Sequence, residues 1–188
     1  MAAATRTDPF PHATAREALP PELVARTLRW MEEEAPWRLR VADFYEQWEM
    51  HLEAETIPVD LEDLMAPATA LHLADELLPS GRGSVRLVEV TAHRMTEGQT
   101  IRVHNDFRPG GETHRILIQL NRGWRDEQGG LLMLFGSGDA GDIRRVIRPV
   151  HGSGFGFEIS GRSFHAVSTI REGERFTLVY SFREEAGD

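Results

Sequence analysis

Eight short runs rich in β-branched and aromatic residues fill the second half of the chain, at residues 85–95, 100–104, 114–120, 131–135, 143–150, 154–159, 165–170 and 175–183, separated by Gly-containing turns. Short strands at this spacing form a sandwich or barrel, because each can bury only one face and must find that cover in a facing layer. The last run shows the period most cleanly. Arg175, Thr177, Val179 and Ser181 fall on one face, and Phe176, Leu178, Tyr180 and Phe182 on the other.

The first half reads differently. Pro20-Pro21 opens a helix, and Leu23, Val24, Leu28, Trp30 and Met31 form its apolar stripe before Glu32-Glu33-Glu34 as a solvated end. Residues 37–53 carry both signals, since Trp37, Leu39 and Val41 alternate while Phe44, Trp48 and Leu52 are spaced as on a helix. Asp60, with Asp63 three positions on, is the expected N-cap of a helix burying Leu61, Leu64 and Met65. Pro67 restarts the chain as a second helical piece to about residue 78, and Pro79-Ser80-Gly81-Arg82-Gly83 ends the helical part. Helices first and strands afterwards give an α+β class, and eight strands suit a double-stranded β-helix of the jelly-roll, cupin-like kind with the N-terminal helices on one sheet. One domain over 1–188 is expected, with 10–80 as helical support, 84–183 as the β core and residues 1–9 as a frayed arm.

Composition narrows the chemistry. There is no Cys, so any metal must be held by His, Asp and Glu. Every one of the 21 basic residues is Arg, which removes Schiff-base and P-loop lysine chemistry. A formal charge of −9 argues against a nucleic-acid partner. No run is long and apolar enough to span a membrane and no secretory leader is apparent, so a cytoplasmic protein acting on a small molecule or a peptide is expected, of unknown oligomeric state.

His104-Asn105-Asp106 follows one strand and precedes the turn-rich Arg108-Pro109-Gly110-Gly111. Residues two apart in extended backbone project to the same side, so an imidazole and a carboxylate can converge there. With His165, from a distant strand, the set becomes two His and one carboxylate, which leaves three coordination positions open at an octahedral iron(II) for a chelating cosubstrate and oxygen. Further on, an inward Arg175 demands a buried anion, and the distal carboxylate of 2-oxoglutarate would be that anion, with a hydroxyl bond from Thr177.

These residues stand among others in a characteristic order: Gly98 ahead of His104, then Leu120-Asn121 and Trp124, Gly129-Gly130-Leu131-Leu132, His165-Ala166-Val167 and Arg175-x-Thr177. Over about residues 95–183 the sequence resembles the 2-oxoglutarate and Fe(II)-dependent oxygenase superfamily, in its prolyl-hydroxylase-like branch. The resemblance implies that His104, Asp106 and His165 bind Fe(II) and that Arg175 and Thr177 bind 2-oxoglutarate, with O2 as the other cosubstrate. Gln119 takes the position where prolyl hydroxylases often carry a Tyr touching the cosubstrate, Leu132 lines the same pocket, and Arg115, on the same strand face as Gln119, could supply a second cation. Met95 stands near another position that is often Tyr. A carboxylate at 106 implies hydroxylation rather than halogenation, with succinate and CO2 as coproducts, and desaturation or ring formation open to the same centre. The branch suggests an amino-acid side chain as substrate, free or peptidyl, with residues 37–58 and 107–113 as candidate contacts.

The remaining histidines, His12, His51, His72, His93, His114 and His151, lack ligand-like partners in sequence and are expected on the surface or satisfied in the core. Gly129-Gly130 reads as a hairpin turn rather than a phosphate cradle. Two rival functions use the same ligands: a cupin-like metal-binding or sensory protein without turnover, and a metal-dependent isomerase or hydrolase that would have no use for Arg175.

Overall fold

A computed structural model of the chain describes residues 3–79 and 85–185. In order its elements are strands β1 (Ala4–Arg6) and β2 (His12–Ala15), helix α1 (Pro21–Glu33), strands β3 (Arg38–Ala42) and β4 (Tyr45–His51), a 3-10 helix (Val59–Met65), helix α2 (Pro67–Leu77), and then β5 (Val85–Met95), β6 (Ile101–His104), β7 (His114–Gln119), β8 (Leu132–Phe135), β9 (Ile143–Ile147), β10 (Gly154–Glu158), β11 (His165–Val167) and β12 (Arg175–Glu184). A short 3-10 turn, Asp126–Gln128, precedes β8.

The strands pair antiparallel in the order β1-β2-β10-β7-β12-β5-β4-β6-β11-β8-β9, with β3 branching from β4. Two apolar clusters show how this sheet is folded. Val90 and Ala92 of β5, Ile116 and Ile118 of β7, and Phe176, Leu178, Tyr180 and Phe182 of β12 pack against Leu23, Val24, Leu28 and Met31 of α1 and Leu73 and Leu77 of α2. Residues of the opposite parity, Met95 and Leu117, join Phe155 and Phe157 of β10 in a second cluster with Leu132 and Leu134 of β8 and Val167 of β11. Strands from distant parts of the sheet order share that second core, so the sheet curls over and faces itself. This is the expected double-stranded β-helix, with the helices on the outside of one layer and a separate apolar interior between the two layers.

The eight expected strands all form, some trimmed by a few residues at their ends. Residues 37–53 resolve as the β3–β4 hairpin, because β4 finds partners on both sides: Trp48 lies opposite Leu39 of β3 and Arg94 of β5, whose guanidinium sits 6.0 Å from the indole. Sheet pairing overrides the helical spacing of Phe44, Trp48 and Leu52. Two expectations are corrected. The arm at 1–9 is ordered where it is described, as Ala4–Arg6 pairs with His12–Ala15; the strand's exposed side chains carry no apolar period, and backbone bonds place it, with Ala3 packed against the core. Asp60 is not an N-cap: Pro58 holds that position with no side-chain bond, the element is a 3-10 helix, and Asp60 pairs with Arg26 of α1 at 3.4 Å. Of the expected stop at 79–83, residues 80–83 lie outside the described residues.

α2 lies so close to β10 that only hydrogen fits between them. A Cβ on Gly156 would sit 2.2 Å from the carbonyl oxygen of Leu77, and one on Gly154 would sit 2.6 Å from Leu77 Cδ1. The obstacle at Gly156 is backbone, which cannot rotate away. Gly156→Ala should therefore destabilise the fold by about 1–3 kcal/mol, the usual cost of overpacking a core, read as a lowered urea midpoint. An unchanged midpoint would contradict this packing.

Candidate metal and cosubstrate site

β11 pairs with β6 so that His165 lies directly opposite His104. Opposed residues on neighbouring strands send side chains to the same face, and the two imidazole centroids are 4.3 Å apart. In both, Nδ1 donates to the carbonyl two residues earlier, Arg102 O at 2.9 Å and Ser163 O at 2.8 Å. A carbonyl can only accept, so the hydrogen is on Nδ1 and each Nε2 turns a lone pair to the site. Phe44 stacks on His104 at 4.3 Å and 26°, and Phe157 meets His165 edge-on at 5.1 Å.

Asp106 closes the group from the loop after β6, with His104 Nε2 3.6 Å from Oδ1 and His165 Nε2 3.3 Å from Oδ2. Its Oδ2 is buried between His165 Nε2 and the Arg115 guanidinium. Two imidazole lone pairs and a carboxylate oxygen facing one another repel unless a cation lies between them, so the donor set fits a metal ion. Among the described residues this is the one group of His, Asp and Glu placed to hold one. Burial alone would raise the Asp106 carboxyl, but the adjacent Arg115 guanidinium and the contacts with His104 and His165 hold it well below the usual carboxylate range. Arg115 Nη1 lies 2.7 Å from Asp106 Oδ2, and Nη2 donates to Glu112 Oε2 at 2.6 Å.

The second pole is Arg175, at the start of β12 and 4% exposed. Its Nη1 donates to Thr177 Oγ1 at 2.8 Å and its Nη2 to Gln119 Oε1 at 3.0 Å, while Nε has no partner. Among the described residues no carboxylate lies within ion-pair distance, and burial pushes its pKa down to about 10. A buried guanidinium met by neutral oxygens is suited to receive an anion such as a carboxylate. Leu132 is buried nearby in the inner core with Met95 and Ile170.

Several sequence features find their reason here. Gly130, at φ +64°, passes the Arg175 stem so closely that a Cβ would be 3.0 Å from Arg175 Cδ, and a Cβ on Gly129 would be 1.9 Å from Thr169 O. Gly130 thus leaves room for the Arg175 stem, and Gly129 for the Thr169 carbonyl. Asn121 accepts from Phe176 N at 2.7 Å and donates to Phe176 O at 3.1 Å, fixing the strand beside Arg175.

The sequence reading missed His93, and held Phe44 and Glu112 only as members of the candidate-contact segments 37–58 and 107–113. His93 is the register neighbour of Thr177 on one side and Glu49 on the other, and it lies within electrostatic reach of Asp106, Arg115 and Arg175. Parity with the inward Met95, two residues along, was the available signal. It is not a ligand; Gln47 Nε2 donates to its Nδ1 at 3.2 Å. Phe44 lay in the ambiguous segment, and a cavity of about 480 Å3 lined by Phe44, Tyr45, Glu46, Gln99 and Arg102 opens beside it.

Burial lowers the His93 pKa from 6.5 to about 4. A histidine harder to protonate in the folded state favours unfolding in acid, so stability is full above about pH 6.5 and declines as the pH falls toward 4. Urea midpoints of the wild type should drop between pH 7 and pH 5, and His93→Gln should drop less. Equal losses would contradict this burial.

The sequence model of the 2OG-Fe(II) oxygenase superfamily matches residues 90–183. No match was found among curated protein sequences. Similar solved structures include a prolyl-4-hydroxylase of Pseudomonas putida, with TM-score 0.74, 21% identity, and 93% of this chain and 92% of that one covered. A prolyl hydroxylase of Trichoplax adhaerens, in complex with a hypoxia inducible factor oxygen degradation domain peptide fragment, aligns with TM-score 0.74 at 13% identity over 92% of this chain and 83% of its own. SnoN, a non-haem alpha-ketoglutarate-dependent epimerase from nogalamycin biosynthesis, aligns with TM-score 0.65 at 15% identity over 92% and 77%. At these identities the likeness is one of fold.

Proposed function

The chain belongs to the 2OG-Fe(II) oxygenase superfamily, and from that premise we propose that it hydroxylates an unactivated C–H bond of an amino-acid side chain, free, peptidyl or within a small natural product. The observation that carries the reading is the pairing of a His104, Asp106 and His165 donor set with a buried, counterion-free Arg175 in one β-helix. The family uses Fe(II), 2-oxoglutarate and O2. When bound, the metal with its cosubstrates supplies the oxidising power for hydroxylation, with succinate and CO2 as coproducts.

The chain's own residues bind and orient. His104 and His165 offer Nε2, and Asp106 a carboxylate oxygen, a three-donor set that would leave a bound metal open to its cosubstrates. Arg175 grips the distal carboxylate of 2-oxoglutarate with its fork, Thr177 and Gln119 hold that fork in place, and Leu132 walls the pocket. Arg115 adds positive potential beside the metal position while committed to Asp106 and Glu112. Phe44 on the β3–β4 hairpin and the segment 107–113 stand at the mouth, where an amino-acid or peptide substrate would be positioned for attack. Prolyl hydroxylases among the similar folds support a side-chain substrate, and the catalytic unit is taken as one domain over 1–188.

Anaerobic addition of Fe(II) and 2-oxoglutarate should give the visible charge-transfer band of their chelate, and aerobic succinate release across amino acids and peptides should identify the substrate class. A folded, metal-loaded protein without that band would favour the binding-only cupin reading. In Arg175→Met the KM for 2-oxoglutarate should rise at least about 30-fold, since truncating one partner of a buried charge pair costs about 2 kcal/mol or more. Unchanged kinetics in Arg175→Met would favour a metal-dependent isomerase or hydrolase.

A further inference from the structure

Of the three ligands, Asp106 alone lies outside the sheet. β6 ends at His104, and the two histidines are each fixed by strand pairing and by an Nδ1 bond to a carbonyl. Asp106 has neither. Besides the two imidazoles, its carboxylate meets the guanidinium of Arg115 on the inner face of β7. That same guanidinium reaches Glu112 with its other terminal nitrogen. Asp106 and Glu112 stand at the two ends of a loop that includes the Arg108–Gly111 turn, closed by Gly111 N donating to Arg108 O at 2.9 Å. Arg115 thus ties both ends of that loop to one point on the sheet.

We infer that Arg115 is a positioning residue of the metal centre, which orients the Asp106 carboxylate by clamping the 106–112 loop between Asp106 and Glu112. The inference rests on the reading that His104, Asp106 and His165 hold the metal. The planar fork suits the task, because two terminal nitrogens at fixed spacing can serve two carboxylates together; an ammonium is a single point and cannot span both. Glu112 offsets the added positive charge, so that the clamp does not repel the ion it serves. A ligand whose orienting partner is lost typically binds its metal about 10- to 100-fold more weakly.

The alternative is a bystander cation, and it predicts the opposite sign. Removing a positive charge that merely lies near a metal ion relieves repulsion and tightens binding. The test is calorimetric titration of metal-free protein with Mn(II), for wild type, Arg115→Met, Arg115→Lys and His104→Ala, with folding checked by circular dichroism. Positioning by Arg115 is expected to weaken Mn(II) binding in Arg115→Met by about 10-fold or more, and to leave Arg115→Lys weakened although its charge is kept. The Co(II) ligand-field bands should also move in both variants, which a loss of overall stability would not cause. Arg115→Met binding Mn(II) as tightly as wild type, or more tightly, would overturn the inference. Should that variant not fold, Arg115→Lys decides, and wild-type affinity in it overturns the clamp. Wild-type binding that His104→Ala abolishes while Arg115→Met leaves it intact rejects the clamp alone; no binding by wild type removes the metal centre and the clamp with it.

Discussion

The pairing of β11 with β6 sets everything else in the site. By placing His165 opposite His104, it brings together two imidazoles far apart in sequence, with parallel projection and a common tautomer. A slip of one residue would send one imidazole to the other face of the sheet. β11 is held in that register by β8 on its far side, where Val167 meets Leu132 and Ala166 meets Met133, and by Thr100, whose hydroxyl donates to Val167 O at 2.9 Å. The inner apolar cluster beneath these strands serves as the support of a binding site as much as a source of stability.

Two guanidinium groups, Arg175 buried and Arg115 half-buried, stand on the inner face in different states. Arg115 pairs both terminal nitrogens with carboxylates, whereas among the described residues Arg175 has only the neutral oxygens of Thr177 and Gln119. An unmatched buried charge works against folding and persists where a ligand supplies its counterion. Under the proposed function the contrast divides the labour: Arg115 would serve the architecture around Asp106, and Arg175 the recognition of an anionic cosubstrate. Gly130 and Asn121 show how much of the surroundings is arranged around that second cation.

What was legible in the sequence follows from where the physics is local. Strand alternation from Arg175 to Phe182 revealed which side chains turn inward because one face meets helices and the other the β-helix interior. His104 and Asp106 were legible as a pair within one short stretch, and His165 through its place at the start of a β run. Less was visible where pairing with distant strands decides the outcome. The β3–β4 hairpin owes its form to β5 and β6, so Phe44, now stacked on His104, could not be placed. The β1 arm is held by backbone bonds that leave no side-chain pattern, and Asp60, a good cap by type, was outcompeted by a 3-10 turn starting after Pro58. Glu112 acquired its role only when the loop folded back to Arg115.

The central claim is that three side chains and one guanidinium form a single centre for iron and 2-oxoglutarate. Its most direct test is an iron-edge anomalous difference map from crystals grown anaerobically with Fe(II) and 2-oxoglutarate. The account requires one iron peak bounded by His104 Nε2, His165 Nε2 and the Asp106 carboxylate, with dicarboxylate density reaching from it to Arg175. An iron peak elsewhere, or none in crystals that contain the metal, would contradict it.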